Sequence, residues 1–153
     1  MAKQPSSSRQ ALRAFTRLSR AHLVVQSAIE RALKAAGLPA LAWHDVLAEL
    51  SVAPGQQLRP GDLGAALLAA QYNLSRLLDR MEAARLVRRI AVEGDARGQW
   101  VGLTPDGAST LVQTASIAGF AAEQSLAGQL DGDDIKKLSK LLRRIATPQP
   151  AGD

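Results

Sequence analysis

The sequence has no cysteine, which removes disulfide frameworks, thiolate metal sites, cysteine nucleophiles and thiol redox switches together. Histidine is nearly as scarce, with His22 and His44 alone. A zinc site would need both, plus carboxylates drawn from a distance, and Asp45 beside His44 is weak support for one. Also missing are Gly-x-Ser-x-Gly, a Gly-rich phosphate loop ending in Lys-Ser or Lys-Thr, and His-Glu-x-x-His, so the common signatures of hydrolases, NTPases and zinc proteases are absent. The reading is a protein that is not an enzyme, with no catalytic residue, metal or cofactor. No apolar run approaches the length that crosses a bilayer. Residues 1–9 are polar and Ser-rich, without the apolar segment of a signal peptide. Together these point to a soluble cytoplasmic protein with no membrane partner.

What is present suits one folded unit. Hydrophobic residues make up 46% of the 153 positions and charged residues 22%, enough to bury a core and unlike a disordered chain. Nineteen Lys and Arg against fourteen Asp and Glu leave a charge of +5, which favours polyanionic partners and makes nucleic acid the first to consider.

Periodicity predicts a helix over 9–36, where Phe15, Leu18, His22, Val25, Ile29, Ala32 and Ala36 recur at steps of three and four and form an apolar seam. On a helical wheel Arg9, Arg13, Arg17 and Arg20 fall within about 80° of one another, opposite that seam. Gly37-Leu38-Pro39 ends the helix. A second helix is expected over 41–50 and a connector over 51–57. A third helix over 60–68 has Pro60 at its first position and Asp62 near its positive end. Over 71–84 a fourth places Leu74, Leu77, Leu78 and Met81 on one face and turns Tyr72, Ser75, Arg76, Asp79 and Arg80 away from it.

Segments 86–92 and 100–103 read as two strands joined by the charged, Gly-bounded tip Gly94-Asp95-Ala96-Arg97-Gly98. Thr104 and Pro105 then open a long helix to about residue 128. Asp131 caps a last helix whose seam is Ile135, Leu138, Leu142 and Ile145, with Asp133 and Asp134 at its start and Arg143 and Arg144 at its end. The expected fold is mainly α with a small two-stranded β-wing.

Two helices joined by a brief turn, the second displaying Gln, Tyr, Asn, Ser and Arg, match a helix-turn-helix whose later helix enters the major groove, and the hairpin after it makes a winged helix. Arg donates two bonds to guanine, Asn or Gln pairs with adenine, and Ser or Tyr reaches phosphates. Arg76 and Arg80 lead the candidates on this helix. Arg97, at the hairpin tip, can extend into a minor groove, with Asp95 steadying a neighbouring arginine. The plain alternatives are a solvated polar face on an ordinary amphipathic helix, and a winged-helix protein-interaction module without specific DNA binding. A third rival, an enzyme reusing an interhelical pocket, lacks an acid, base or nucleophile in register.

Several segments occur in a telling order: Trp43-His44-Asp45-Val46-Leu47, Leu58-Arg59-Pro60-Gly61-Asp62-Leu63, Leu74-Ser75-Arg76-Leu77-Leu78-Asp79-Arg80-Met81-Glu82, Leu86-Val87-Arg88-Arg89, Asp95-Ala96-Arg97-Gly98 and Leu103-Thr104-Pro105-Asp106-Gly107. In order and spacing the set resembles MarR-family transcriptional regulators, over roughly Phe15 to Ile145.

The resemblance implies a single domain over 9–147 and a homodimer. A winged helix-turn-helix lobe would occupy 40–104, a helical dimerisation region 9–36 and 105–147, and flexible tails 1–8 and 148–153. It implies double-stranded DNA with a palindromic operator as partner, and a repressor released by a small aromatic or anionic effector. The positions matching the family's DNA-reading residues are Gln71, Tyr72, Asn73, Ser75, Arg76 and Arg80 on the helix and Asp95 and Arg97 on the wing. The chain departs from the family at Ala70, Tyr72 and Asn73, where Ser or Thr is frequent.

For an effector the candidates are Arg13, Arg17, Arg20, His22, Trp43 and His44. His22 is either a core or interface histidine satisfied by one hydrogen bond or a polar anchor for a ligand. Trp43 and His44 stand at the expected junction of dimer base and DNA lobe, where ligands of the family commonly bind, although a large aromatic more often fills a core. The arginine stripe is a solvated face, a phosphate contact on DNA, or a surface for a multiply charged ligand. An aromatic acid or its coenzyme A thioester is the ligand class that suits it.

Overall fold

The computed structural model describes residues 5–67, 71–92 and 94–146, those at 5–7, 71, 72, 92 and 95–97 by backbone alone. In chain order the elements are α1 (Pro5–Ala35), α2 (Leu41–Val52), a single 3-10 turn (Pro54–Gln56), β1 (Gln57–Leu58), α3 (Pro60–Leu67), α4 (Gln71–Ala83), β2 (Val87–Val92), β3 (Asp95–Leu103), α5 (Pro105–Ala127) and α6 (Gly132–Ala146). This is the mainly helical winged helix-turn-helix architecture expected from the sequence, with three differences. The first helix begins a turn earlier, at Pro5. The expected connector contains β1, so the sheet has three strands in the order β1-β3-β2. And β3 starts at Asp95, so Asp95 and Arg97 belong to a strand rather than to a tip.

The last difference has a backbone cause. Val92 pairs with Asp95 across a register shift after Ala91, and Gly94, at φ 85, takes a left-handed conformation open to residues without a Cβ. The strands therefore close on each other sooner than the spacing of Gly94 and Gly98 suggests. Strand β1 is equally local in origin: Gln57 and Leu58 pair with Gly102 and Val101, a contact too short to leave a hydrophobic period in the sequence.

Compact packing divides the chain into two units, one made of residues 29–119 and the other of residues up to 28 with those from 120 onward. The first contains a closed hydrophobic core. Val46, Leu47 and Leu50 of α2, Leu63 of α3, Leu74, Leu78 and Met81 of α4, and Val87, Val101 and Leu103 of the sheet are buried together, with Leu86 joining them. Each fully buried aliphatic side chain contributes roughly 1.5–3 kcal/mol relative to exposure. This cluster orients α3, α4 and the sheet around α2.

Helix ends in this unit are closed by their own backbone. Leu86 N–H donates to Met81 O at 3.0 Å and Arg85 N–H to Glu82 O at 2.9 Å, the paired bonds of a Schellman cap. Arg85 sits at φ 62 to make them. The same pattern ends α1, with Leu38 bonded to Leu33 and Gly37 to Lys34.

Thr104 caps α5. Its Oγ1 accepts from Gly107 N–H at 3.0 Å and lies 2.7 Å from Arg85 O and 2.9 Å from Leu86 O, which ties the base of the hairpin to the helix start. Gly107 is required here by close approach, because a Cβ would lie 2.1 Å from Leu86 O.

In the second unit Ala121 is the one buried hydrophobic residue among the described residues. Leu12, Phe15, Leu23, Val24, Phe120, Leu141 and Ile145 are all exposed. Asp131 caps α6 as expected, its Oδ1 accepting from Asp133 N–H at 2.9 Å and Asp134 N–H at 2.8 Å. His22 is exposed rather than buried, as are Phe15 and Leu18 beside it, because the seam they belong to meets no cover in this unit. Among the described residues no helix is long and apolar enough to cross a membrane.

Candidate nucleic-acid interface

The core dictates which side of α4 is available. With Leu74, Leu78 and Met81 buried and Leu77 packed against the same cluster, the helical period turns Asn73, Ser75, Arg76, Asp79 and Arg80 outward, and all five are exposed. Asn73, Arg76, Asp79 and Arg80 line an open groove of about 640 Å³ with Leu77 and Ala42. Its chemistry is cationic and rich in hydrogen-bond donors, suited to an anion or to the edges of bases.

An acidic residue in this setting needs a partner, and the sheet supplies it. Arg89 on β2 reaches back to α4, with Nη2 2.5 Å from Asp79 Oδ1 and Nη1 2.7 Å from Glu82 Oε2. Glu82 Oε1 also accepts the backbone N–H of Arg89 at 3.0 Å. The hydrogen bond to Asp79, with the charges of both carboxylates, pushes the Arg89 guanidinium pKa further up, against a smaller opposing effect of burial. Arg76 and Arg80, by contrast, have no ion-pair partner among the described residues. Next to the helix, Arg59 lies over the ring of Trp100 at 5.4 Å from its centroid, a cation–π contact joining the start of α3 to β3.

A second cleft of about 280 Å³ runs between α4 and the sheet, lined by Pro60, Leu74, Ser75, Leu78, Arg89 and Gln99. Polar groups of the helix and of the hairpin therefore border one continuous depression. The side chains of Gln71, Tyr72, Asp95 and Arg97 fall outside the described residues, as does the turn at 68–70.

Comparison with known proteins agrees with this arrangement. The model of the MarR family matches residues 36–98, the stretch that contains α2 to the start of β3. The multiple antibiotic resistance protein MarR of Salmonella typhimurium is 36% identical over 84 residues, 55% of this chain and 53% of that protein. The match thus spans about half the length of the curated relatives. Among solved structures, AbsC of Streptomyces coelicolor, a MarR family transcriptional regulator, aligns over 95% of this chain and 96% of its own with a TM-score of 0.72 and 28% identity. A second MarR family regulator of the same organism, solved in complex with DNA, aligns over 99% of this chain and 93% of its own with a TM-score of 0.76; at 24% identity it speaks for the fold.

The chain is similar to the MarR family in the sequence of residues 36–98 and in its fold. The remaining candidates separate by unit. Arg9, Arg13, Arg17 and Arg20 are exposed on α1, and so is His22. Trp43 packs half-buried against the core. His44 Nδ1 lies 2.9 Å from Thr114 Oγ1. Thr114 is fully buried and its hydroxyl also bonds Leu111 O at 3.1 Å. With its single proton directed to that carbonyl, the hydroxyl accepts from His44 Nδ1–H. A core hydrogen bond to a histidine, one of the readings open for His22, is found at His44 instead, while His22 is exposed in this chain. Among the described residues no group of three or more His, Asp or Glu could hold a metal ion.

Reasoning from the sequence singled out neither Arg89 nor Thr114. A signal for Arg89 existed: it follows Val87 by two positions in a strand, which puts it on the inward face, and an inward charge calls for partners. Thr114 carries no such signal, since a lone threonine in a helix reads as ordinary surface.

Proposed function

We propose that the protein is a homodimeric, DNA-binding transcription regulator. In this reading the lobe of residues 40–104 reads one half of a palindromic operator, and the helices at 9–36 and 105–147 join the two protomers. The observation that carries it is the outward face of α4, where Asn73, Ser75, Arg76 and Arg80 are exposed and two guanidiniums stand without an ion-pair partner among the described residues. Arg is the side chain best suited to guanine O6 and N7, and Asn to adenine. A related regulator solved in complex with DNA supports the same use of the fold. Gln71 and Tyr72 would extend the reading face, and Asp95 and Arg97 would serve the adjoining minor groove.

Dimerisation is supported by the unit that contains α6, whose described residues bury one hydrophobic side chain and expose eight large ones. Apolar surface of that extent favours a second copy. Release by a small aromatic or anionic effector is the accompanying proposal. The exposed stripe Arg13, Arg17 and Arg20 is its anionic contact, in the manner suited to an aromatic acid or its coenzyme A thioester, and His22, Trp43 and His44 are its further candidate residues.

The test is a duplex-binding titration across ionic strength. Affinity should fall steeply with salt as counterions are released. Arg76→Ala should weaken binding to a preferred duplex by about 1–3 kcal/mol, the range for one specific arginine contact. Binding that ignores both salt and the substitution would remove the reading and leave a protein-interaction module in its place.

A further inference from the structure

The carboxylate of Asp79 poses a problem for the face just described. It stands three residues after Arg76 and directly before Arg80, lines the same open groove as both, and carries the charge that DNA repels. At a spacing of three on a helix, an aspartate and an arginine pair readily. Asp79 left to itself would engage Arg76 and compete with a phosphate or a guanine for it.

That pairing is not what the structure contains. Asp79 is engaged from the other side by Arg89 at 2.5 Å, and the same guanidinium holds Glu82 at 2.7 Å. The Arg89 side chain is 29% exposed and Asp79 58%, so the arginine sits in the packing between helix and sheet while the acid reaches the surface. The backbone N–H of Arg89 gives Glu82 a further bond at 3.0 Å, which fixes the strand, and with it the guanidinium, against α4. A forked, planar cation can serve two carboxylates at once, which an ammonium cannot do with the same geometry.

We propose that Arg89 is a positioning residue for DNA binding, which occupies Asp79 and thereby keeps Arg76 and Arg80 free for the duplex. The inference rests on the DNA-binding reading above and deepens it. Arg89 acts through Asp79 and need not touch DNA.

Its test is a set of anisotropy titrations with a labelled duplex enriched by the wild-type protein from a randomised pool. Arg89→Gln should lower affinity by about tenfold, the weight of one arginine contact. Adding Asp79→Asn to it should restore most of the loss, to within about threefold of wild type. A residue that merely holds the helix to the sheet behaves differently, because removing the second partner would then bring no recovery. If the double variant binds as weakly as Arg89→Gln, or if Arg89→Gln binds like wild type, the proposal is overturned. Should Arg89→Gln lack cooperative unfolding, the comparison is made in Arg89→Lys, which cannot hold both carboxylates. Adding Asp79→Asn must again raise affinity there, and no gain overturns the proposal. Failure of the wild-type protein to bind any duplex saturably would instead overturn the DNA-binding reading, and this proposal with it.

Discussion

Gly107 offers the sharpest test of how the hairpin is held to the rest of its unit. A methyl group there would lie 2.1 Å from Leu86 O and 2.9 Å from Leu103 Cδ1, and the first of these contacts is to backbone that cannot rotate away. The start of α5 would have to withdraw from the base of the sheet. Two bonds onto Leu86 O would lengthen, from Thr104 N–H at 3.2 Å and from Thr104 Oγ1 at 2.9 Å, at about 1 kcal/mol each. Disturbed packing around Leu86 and Leu103 adds on the order of 1–3 kcal/mol, while alanine recovers up to about 1 kcal/mol of helix propensity. Gly107→Ala should therefore destabilise by roughly 2–4 kcal/mol, a large part of a typical total stability of about 5–15 kcal/mol, and lower the urea midpoint by on the order of 1–2 M. The control is Gly61→Ala, where an added Cβ meets nothing within 4 Å and stability should hold or rise slightly. Both are followed by far-UV dichroism at one protein concentration, since a dimer's stability depends on it. A Gly107→Ala protein that unfolds at the same urea as Gly61→Ala would refute the steric argument.

Most of this architecture is readable from residue order because most of it is local. The seam Leu74, Leu77, Leu78 and Met81 specifies both that α4 is a helix and which side faces the core, and hence that Arg76 and Arg80 face out. Thr104-Pro105 and Asp131 mark helix starts by side-chain capping, which spans only three residues. What escapes reading depends on partners distant in sequence. Strand β1 exists because Gln57 and Leu58 meet Gly102 and Val101, and two residues cannot display a period. Thr114 is buried and meets His44, seventy positions earlier, at 2.9 Å, a contact that only the fold creates. His22 shows the reverse case. Its place in an apolar period is real, yet periodicity states only that a face wants cover and cannot say whether the same chain supplies it.

The remaining predictions concern α2. Burial raises the Asp45 carboxyl pKa above its ordinary value of 3.8, His44 opposes this, and Glu30 and Glu49 add to it. The folded state thus favours the protonated acid more than the unfolded chain does, so the stabilising contribution is complete at low pH and is lost as pH rises through the folded pKa. Asp45→Asn should melt higher than wild type near pH 7, with the advantage vanishing near pH 3; the gain should be small, since Asp45 retains solvent contact that screens it. An equal gain at both pH values would count against the burial effect. The companion experiment is Thr114→Val. Valine matches threonine in shape, so no cavity opens and the packing cost is minor. What disappears is the acceptor 2.9 Å from His44 Nδ1, which leaves an N–H in a partly buried place without a partner at a cost of about 1–3 kcal/mol. Replacing both partners, as in His44→Leu with Thr114→Val, removes the orphaned donor and should recover part of that loss. If the double variant is instead destabilised by the sum of the two single losses, His44 and Thr114 do not act as a pair, and the buried hydroxyl is there for Leu111 O alone.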